Sequence, residues 1–207
     1  RGDGEALKSK PDFAEALTSL GNLLQDFVSL EEGLASYNRA LEINPKFAGA
    51  RFGRALVRLM MGDLKGGFED YESRWEGSDQ AKKVKPPRFP CPQWEGEKPR
   101  KGARIIAYYE QGFGDAIQFC RYVPLLAERF GEVTFIVQNE LYRLLRQSFD
   151  PRIRIVPGEH AQPAVREQYD YHCPVLSLPL AFGTALQTVP AQVPYLFAGA
   201  QAAERWR

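Results

Sequence analysis

A self-similarity with a period of 34 residues constrains this 207-residue chain more than any other feature. Pro11 and Pro45 lie 34 positions apart, as do Phe13 and Phe47, Ala14 and Ala48, and Ala16 and Ala50. The same offset joins Leu30 to Leu64, Gly33 to Gly67, Tyr37 to Tyr71, and Ala6-Leu7 to Ala40-Leu41. A unit of this length cannot bury its apolar side alone, so the repeat specifies stacked copies that share a core.

The spacing inside the repeat predicts its elements. Over residues 14–47, Leu17, Leu20, Leu24 and Phe27 recur every three or four positions and share one face of a first helix. Leu30, Leu34, Tyr37 and Leu41 do the same for a second helix. Gly21, Gly33 and Ala40 are small where two helices approach, and Pro45 cannot continue the helix before it. Residues 48–76 read as a degraded copy in which Arg51, Arg54 and Arg58 replace Leu17, Leu20 and Leu24. That face is expected to meet solvent or the following domain. Residues 1–13 read as the end of an earlier copy, so the chain is expected to be a piece of a longer protein. The pattern resembles the tetratricopeptide (TPR) repeat, which implies helical hairpins over 1–76 and a groove that holds a protein or peptide.

Composition removes several alternatives. Apolar residues make up 44% and charged residues 26%, as in ordinary globular proteins. Lys and Arg, 27 in all, nearly cancel 26 Asp and Glu, so bulk charge gives no reason to expect a nucleic-acid partner. No apolar run is long enough for a transmembrane segment. Cys91, Cys120 and Cys173 are too few and too scattered for a disulfide framework, which points to a reducing, cytoplasmic setting. With only His160 and His172 beside them, no spacing matches a metal site.

Residues 77–102 read as a basic, proline-rich connector. Lys82, Lys83, Lys85, Arg88, Lys98, Arg100, Lys101 and Arg104 face only Glu95 and Glu97 around it. A solvated, extended linker is the expectation, with binding of an anionic partner as the sharper alternative. Trp94 is expected to pin the segment onto a domain.

From residue 103 the period changes. Strands are expected over 103–109, 133–137, 153–156 and 169–173, with helices over 115–130, 141–149 and 175–185. Such alternation argues for βαβ units, so the fold class is α plus α/β: helical hairpins, then a parallel Rossmann-like sheet flanked by helices. Ligands of such sheets sit beyond the carboxyl ends of the strands. The loop after the first strand, Glu110-Gln111-Gly112-Phe113-Gly114-Asp115, is the most informative. Its glycines permit a tight turn and leave amides free at a helix start. Ile117 breaks the dinucleotide fingerprint, and no Gly-Lys-Ser/Thr makes it a P-loop. Asp115 can serve there as an N-cap or as a functional carboxylate.

This stretch, with Gln118, Phe119, Arg121 and Tyr122 after it, resembles TPR-containing members of the heptosyltransferase-like glycosyltransferases, which have the two-domain GT-B fold. Pro92-Gln93-Trp94-Glu95-Gly96, Ser177-Leu178-Pro179 and Pro194-Tyr195-Leu196 extend the likeness across the chain. The resemblance implies that residues 103–207 are the N-terminal, acceptor-side half of such an enzyme. It implies Asp115 as the base on the acceptor hydroxyl, with Gln111, Gly112, Phe113 and Gly114 around it. It also implies a nucleotide-sugar donor bound mainly by a second domain, no resident cofactor or metal, and no turnover by these residues alone. The alternative is a non-catalytic TPR scaffold with a degenerate transferase-like domain.

Four further residues carry weaker expectations. Gln118 shares a helix face with Asp115, and Arg121 beside it can meet a sugar or phosphate, or form an ordinary surface ion pair. His172, one residue from Tyr171 and two from Asp170, can bind substrate or be a hydrogen-bonded structural histidine. Ser177, before Leu178-Pro179, can contact a ligand at a strand end, without the surroundings of a hydrolase nucleophile.

Overall fold

The computed structural model describes residues 3–27, 29–78, 87–199 and 204–205, with side chains from residue 13 onward except Phe27. Chain contacts divide it into two units, residues 1–87 and 88–207. The side chains of Ala6, Leu7, Phe27, Lys82, Lys83, Lys85 and Pro86, for which the sequence raised expectations, lie outside those described.

The first unit is helical: α1 (Asp3–Phe27), α2 (Leu30–Ile43), α3 (Ala48–Met60), α4 (Leu64–Tyr71) and the short α5 (Arg74–Gly77). The turns follow the repeat. Ser29 caps α2 by accepting the Glu32 N–H, and Asp63, 34 residues on, caps α4 by accepting the Gly66 N–H. Gly62, in the left-handed region at φ 87°, reverses the chain between α3 and α4. Asn44 ends α2 immediately before Pro45.

Tyr37 is the centre of this unit and is fully buried. A Cβ at Gly21 would lie 2.7 Å from its ring, and one at Gly53 would overlap the ring outright. Glycine at these two positions therefore lets α1 and α3 close on either side of one aromatic. The phenol donates to Asn22 Oδ1 at 2.6 Å and lies 3.0 Å from Gln25 Oε1. Burial pushes its pKa up to about 12.

α1 runs unbroken from Asp3 to Phe27, across the boundary expected between residues 13 and 14. The arginine face of α3 is not simply handed to solvent. Arg54 forms a bidentate pair with Asp70 of α4 at 2.7 and 2.9 Å, and Arg58 Nη1 adds a third contact at 2.8 Å. Asp70 is only 4% exposed, so one buried carboxylate organises a face that elsewhere in the repeat is made of leucine.

The second unit is a four-stranded parallel sheet with spatial order β3-β2-β1-β4. Its strands are β1 (Arg104–Tyr108), β2 (Glu132–Val137), β3 (Ile153–Pro157) and β4 (Tyr171–Pro174). Ile106 aligns with Thr134 on one side and His172 on the other, and Phe135 aligns with Ile155. Helices α6 (Phe113–Phe119), α7 (Val123–Ala127), α8 (Tyr142–Ser148), α9 (Ala161–Val165) and α10 (Leu178–Ala181) make the connections. Ile106, Tyr108, Ile136 and Val156 form a cluster with Ala164 of α9 and with Tyr169.

The helix expected over 115–130 is divided. α6 ends at Phe119, a single 3₁₀ turn spans Cys120–Tyr122, and α7 follows. Pro124 stands in the first turn of α7, where its missing N–H would have had no partner in any case.

Residues 88–102 belong to the second unit rather than to a free linker. His172 N–H donates to the Pro92 carbonyl and Trp94 N–H to the His172 carbonyl, so this segment covers the outer edge of β4. Trp94 is fully buried, edge-on to Phe130 and Phe182, and its indole N–H donates to the Glu97 carbonyl at 2.8 Å.

Candidate functional site at the carboxyl ends of the strands

In this strand order the chain reverses direction across the sheet between β1 and β4, and the crevice at such a point is where open α/β sheets take ligands. The loops that reach it are held by polar side chains from the strand ends. Glu110 Oε1 accepts the Leu176 N–H at 3.1 Å, tying the β1 loop to the turn after β4. Gln138, directly after β2, donates its amide to the carbonyls of Gln111 at 2.9 Å and Gly112 at 3.3 Å. Asn139 accepts the Glu159 N–H at 3.0 Å, joining the loops after β2 and β3.

Gln138 is 8% exposed, and its Oε1 is buried with no hydrogen-bond partner among the described residues. Carbonyls only accept, so the amide cannot be turned round to relieve this. The glycine loop is thus held by a residue that leaves one acceptor unsatisfied.

Within the loop, Gly112 is the N-cap of α6, at φ −68° and ψ 174°. This corrects the expectation that Asp115 caps the helix: Asp115 lies in its first turn, three residues in. No side chain caps α6, so its first N–H groups receive no help from Gly112. Neither glycine is there for a left-handed backbone, which is found instead at Gly62, Gly96, Gly102 and Gly183. A Cβ at Gly114 would meet nothing within 4 Å, and one at Gly112 would meet only Asp115 Oδ2 at 3.7 Å. The fold tolerates a side chain at both positions, yet both are bare. Phe113 between them is 49% exposed.

The other candidates are placed differently. Gln118 is exposed on α6. Arg121 is engaged: Nε donates to the Gln118 carbonyl at 2.8 Å, Nη1 to the Pro190 carbonyl at 3.0 Å, and the guanidinium stacks 4.5 Å above the Tyr195 ring. Its role in the structure is to clasp residues 190–195 to α6. Ser177 is buried in the 3₁₀ turn after β4, next to the Leu176 amide that Glu110 holds. His172 lies inside β4 rather than at its end, stacked on Phe89 at 4.9 Å. Asp170 does not serve it, pairing instead with Arg100 at 2.7 Å and the Arg104 N–H at 2.8 Å.

Gln111, Gly112, Phe113, Gly114 and Asp115 lie together on the loop after β1, and Glu110 of that loop is tied to the turn that contains the buried Ser177, whereas His172 and Arg121 have structural surroundings. Sequence reading missed Gln138 and Asn139 as organising residues. The available signal was a polar pair following an apolar strand in a parallel sheet. Among the described residues, no group of three or more His, Cys, Asp or Glu side chains comes together as a metal site, and no helix is long and apolar enough to cross a membrane.

No protein-family model matches the chain. Protein FlbA of Caulobacter vibrioides is 31% identical to it over 161 residues, which cover 73% of this chain and 26% of FlbA. The chain thus spans about a quarter of the length of the curated relative to which it is similar.

Proposed function

We propose that this chain is the acceptor-binding part of a glycosyl-transferring protein, with the helical repeats holding a protein or peptide partner. The observation that carries the reading is the pair of glycines at the end of β1. Because the backbone does not require them, their value lies in the open space they leave, which a ligand can enter down to the main chain. Asp115 stands at the edge of that space, in the first turn of α6.

The proposed reaction uses these groups directly. The acceptor hydroxyl oxygen bonds to the anomeric carbon of a nucleotide sugar as the bond from that carbon to the diphosphate breaks. The hydroxyl proton passes to the Asp115 carboxylate, and the diphosphate leaves with the bonding electrons. The donor is expected to be held mainly by a second domain of the GT-B type.

A scaffold without catalysis is the second reading. It is favoured by Arg121, six residues beyond the loop, being committed to Pro190 and Tyr195.

A panel of nucleotide sugars, assayed with the native polypeptide that carries these residues, separates the two. Transfer that falls at least a hundredfold in Asp115→Asn supports the enzyme. Transfer unchanged by that substitution removes Asp115 from the chemistry, and no transfer with any donor supports the scaffold.

A further inference from the structure

A pocket of about 460 Å³ lies at the end of the sheet opposite the glycine loop. It is lined by Gly96, Lys98, Pro99, Lys101, Glu128 and Arg129, from the segment leading into β1 and from the end of α7. Gly131 N–H donates to the Ala103 carbonyl, which places these two stretches together at the amino ends of β1 and β2. A five-residue strand rises about 3.3 Å per residue, so about 15 Å of β1 separates this pocket from the glycine loop.

Three cations face one carboxylate here. Among the described residues, Lys98, Lys101 and Arg129 have no carboxylate within ion-pair distance, whereas the neighbouring Arg100 is taken by Asp170. Glu97, on the same loop, accepts the Glu95 N–H at 3.0 Å. Arg129 is also held in position: its guanidinium lies 4.5 Å above the Phe182 ring and 5.5 Å from the Trp94 ring. Stacking fixes the plane of the group while leaving its edge N–H groups free for a ligand. The loop opposite is equally constrained. Gly96, at φ 109°, presses against the Ala181 carbonyl where no Cβ fits, and Gly102 turns the chain at φ 78°.

We infer that this pocket binds a diphosphate group, either as free pyrophosphate or as part of a nucleoside diphosphate. Its volume falls in the small-ligand range, and a net positive lining calls for an anion. Lys98 and Lys101 stand on one segment and Arg129 on the other, so a diphosphate, with a charge on each of two linked phosphates, can meet cations from both sides at once. The inference stands apart from the transfer reading, because none of these residues belongs to the glycine loop.

The test is calorimetric titration of the 207-residue chain with pyrophosphate, with ADP and UDP, and with inorganic phosphate. Pyrophosphate is expected to bind at least tenfold more tightly than phosphate, and to weaken as salt rises from 50 to 300 mM. Tighter binding of ADP or UDP than pyrophosphate identifies the nucleotide as the source, and the reverse identifies the free anion. Arg129→Gln is expected to lower affinity at least tenfold, and Glu128→Gln to raise it two- to fivefold. Asp115→Asn, at the other end of the sheet, leaves it unchanged. Should Arg129→Gln fail to fold, the Lys98→Gln/Lys101→Gln double variant carries the test, since both lysines are exposed. No binding at millimolar pyrophosphate overturns the inference, as does affinity unmoved by the lysine and arginine variants.

Discussion

Glu110 Oε1 accepts the backbone N–H of Leu176 at 3.1 Å, a bond between residues 66 positions apart in the chain. It joins the ends of β1 and β4, the two strands that border the crevice. A carboxylate suits this position because a charged acceptor makes the stronger hydrogen bond to a main-chain donor. Removing it by Glu110→Ala is expected to cost about 1.5–3 kcal/mol, with Glu110→Gln recovering part of the loss. Urea unfolding measures both, and a loss below about 0.5 kcal/mol in the alanine variant would show that the crevice is held by other contacts.

Glycines of two kinds should respond oppositely to alanine. Gly114→Ala adds a methyl into open space within α6, so stability stays level or rises by up to about 1 kcal/mol. On the proposed reading, transfer to the acceptor is nevertheless expected to fall at least tenfold. Gly96→Ala forces a Cβ into the Ala181 carbonyl and a strained φ, and a loss of about 1–3 kcal/mol is expected. Thermal melts of the two variants test the contrast directly.

In the helical unit, Gly53→Ala drives a methyl into the Tyr37 ring. Overpacking of this kind costs about 1–3 kcal/mol, and here it also parts α3 from α2. Tyr37→Phe keeps the ring but leaves Asn22 and Gln25 without its hydroxyl, for an expected cost of about 1 kcal/mol. Helix content followed by circular dichroism during denaturation reports both.

Asp70 neutralises a cluster of arginines from a nearly buried position. Asp70→Ala leaves Arg54 and Arg58 facing each other without it, and a loss of about 3–5 kcal/mol follows for a broken buried pair. Replacing Arg54 and Arg58 by leucine together with Asp70→Ala should restore much of that stability, because leucine occupies the equivalent face one repeat earlier. A triple variant no more stable than Asp70→Ala would refute this account.

The pH dependence follows from His172. Burial between Phe89 and Tyr108 pushes its pKa below the ordinary 6.5, and its Nδ1 has no partner among the described residues. The unfolded chain therefore takes up a proton more readily than the folded one. Stability is undiminished above about pH 6.5 and declines as pH falls from there toward the lower folded-state value. Glu167, held down chiefly by its hydrogen bond from Arg154, and Asp170, held down chiefly by the Arg104 N–H, add losses only at more acid pH. Unfolding free energies between pH 7 and 5 should slope downward in the natural chain and flatten in His172→Phe.

The helices and strands were legible because periodicity records which side of an element is buried. Leu30, Leu34, Tyr37 and Leu41 mark one face of α2, and the alternation of apolar runs with turns marks the parallel sheet. The glycine loop was legible too, since two glycines beside a carboxylate stand out against an apolar strand. The division of the helix after Phe119 was not, because one 3₁₀ turn leaves the spacing of Phe119, Val123, Leu126 and Phe130 almost unchanged.

Pairing across long separations belongs to the tertiary structure alone. Arg51, Arg54 and Arg58 read as a face for solvent or for the following domain until α4 brings Asp70 to them, and His172 reads as a neighbour of Asp170 until Arg100 and the Arg104 N–H claim that carboxylate. Local order in the chain determines periodicity, turns and the position of the open glycines. Which charges meet, which ring is stacked and which acceptor stays unpaired depend on residues tens of positions apart, and only packing brings those together.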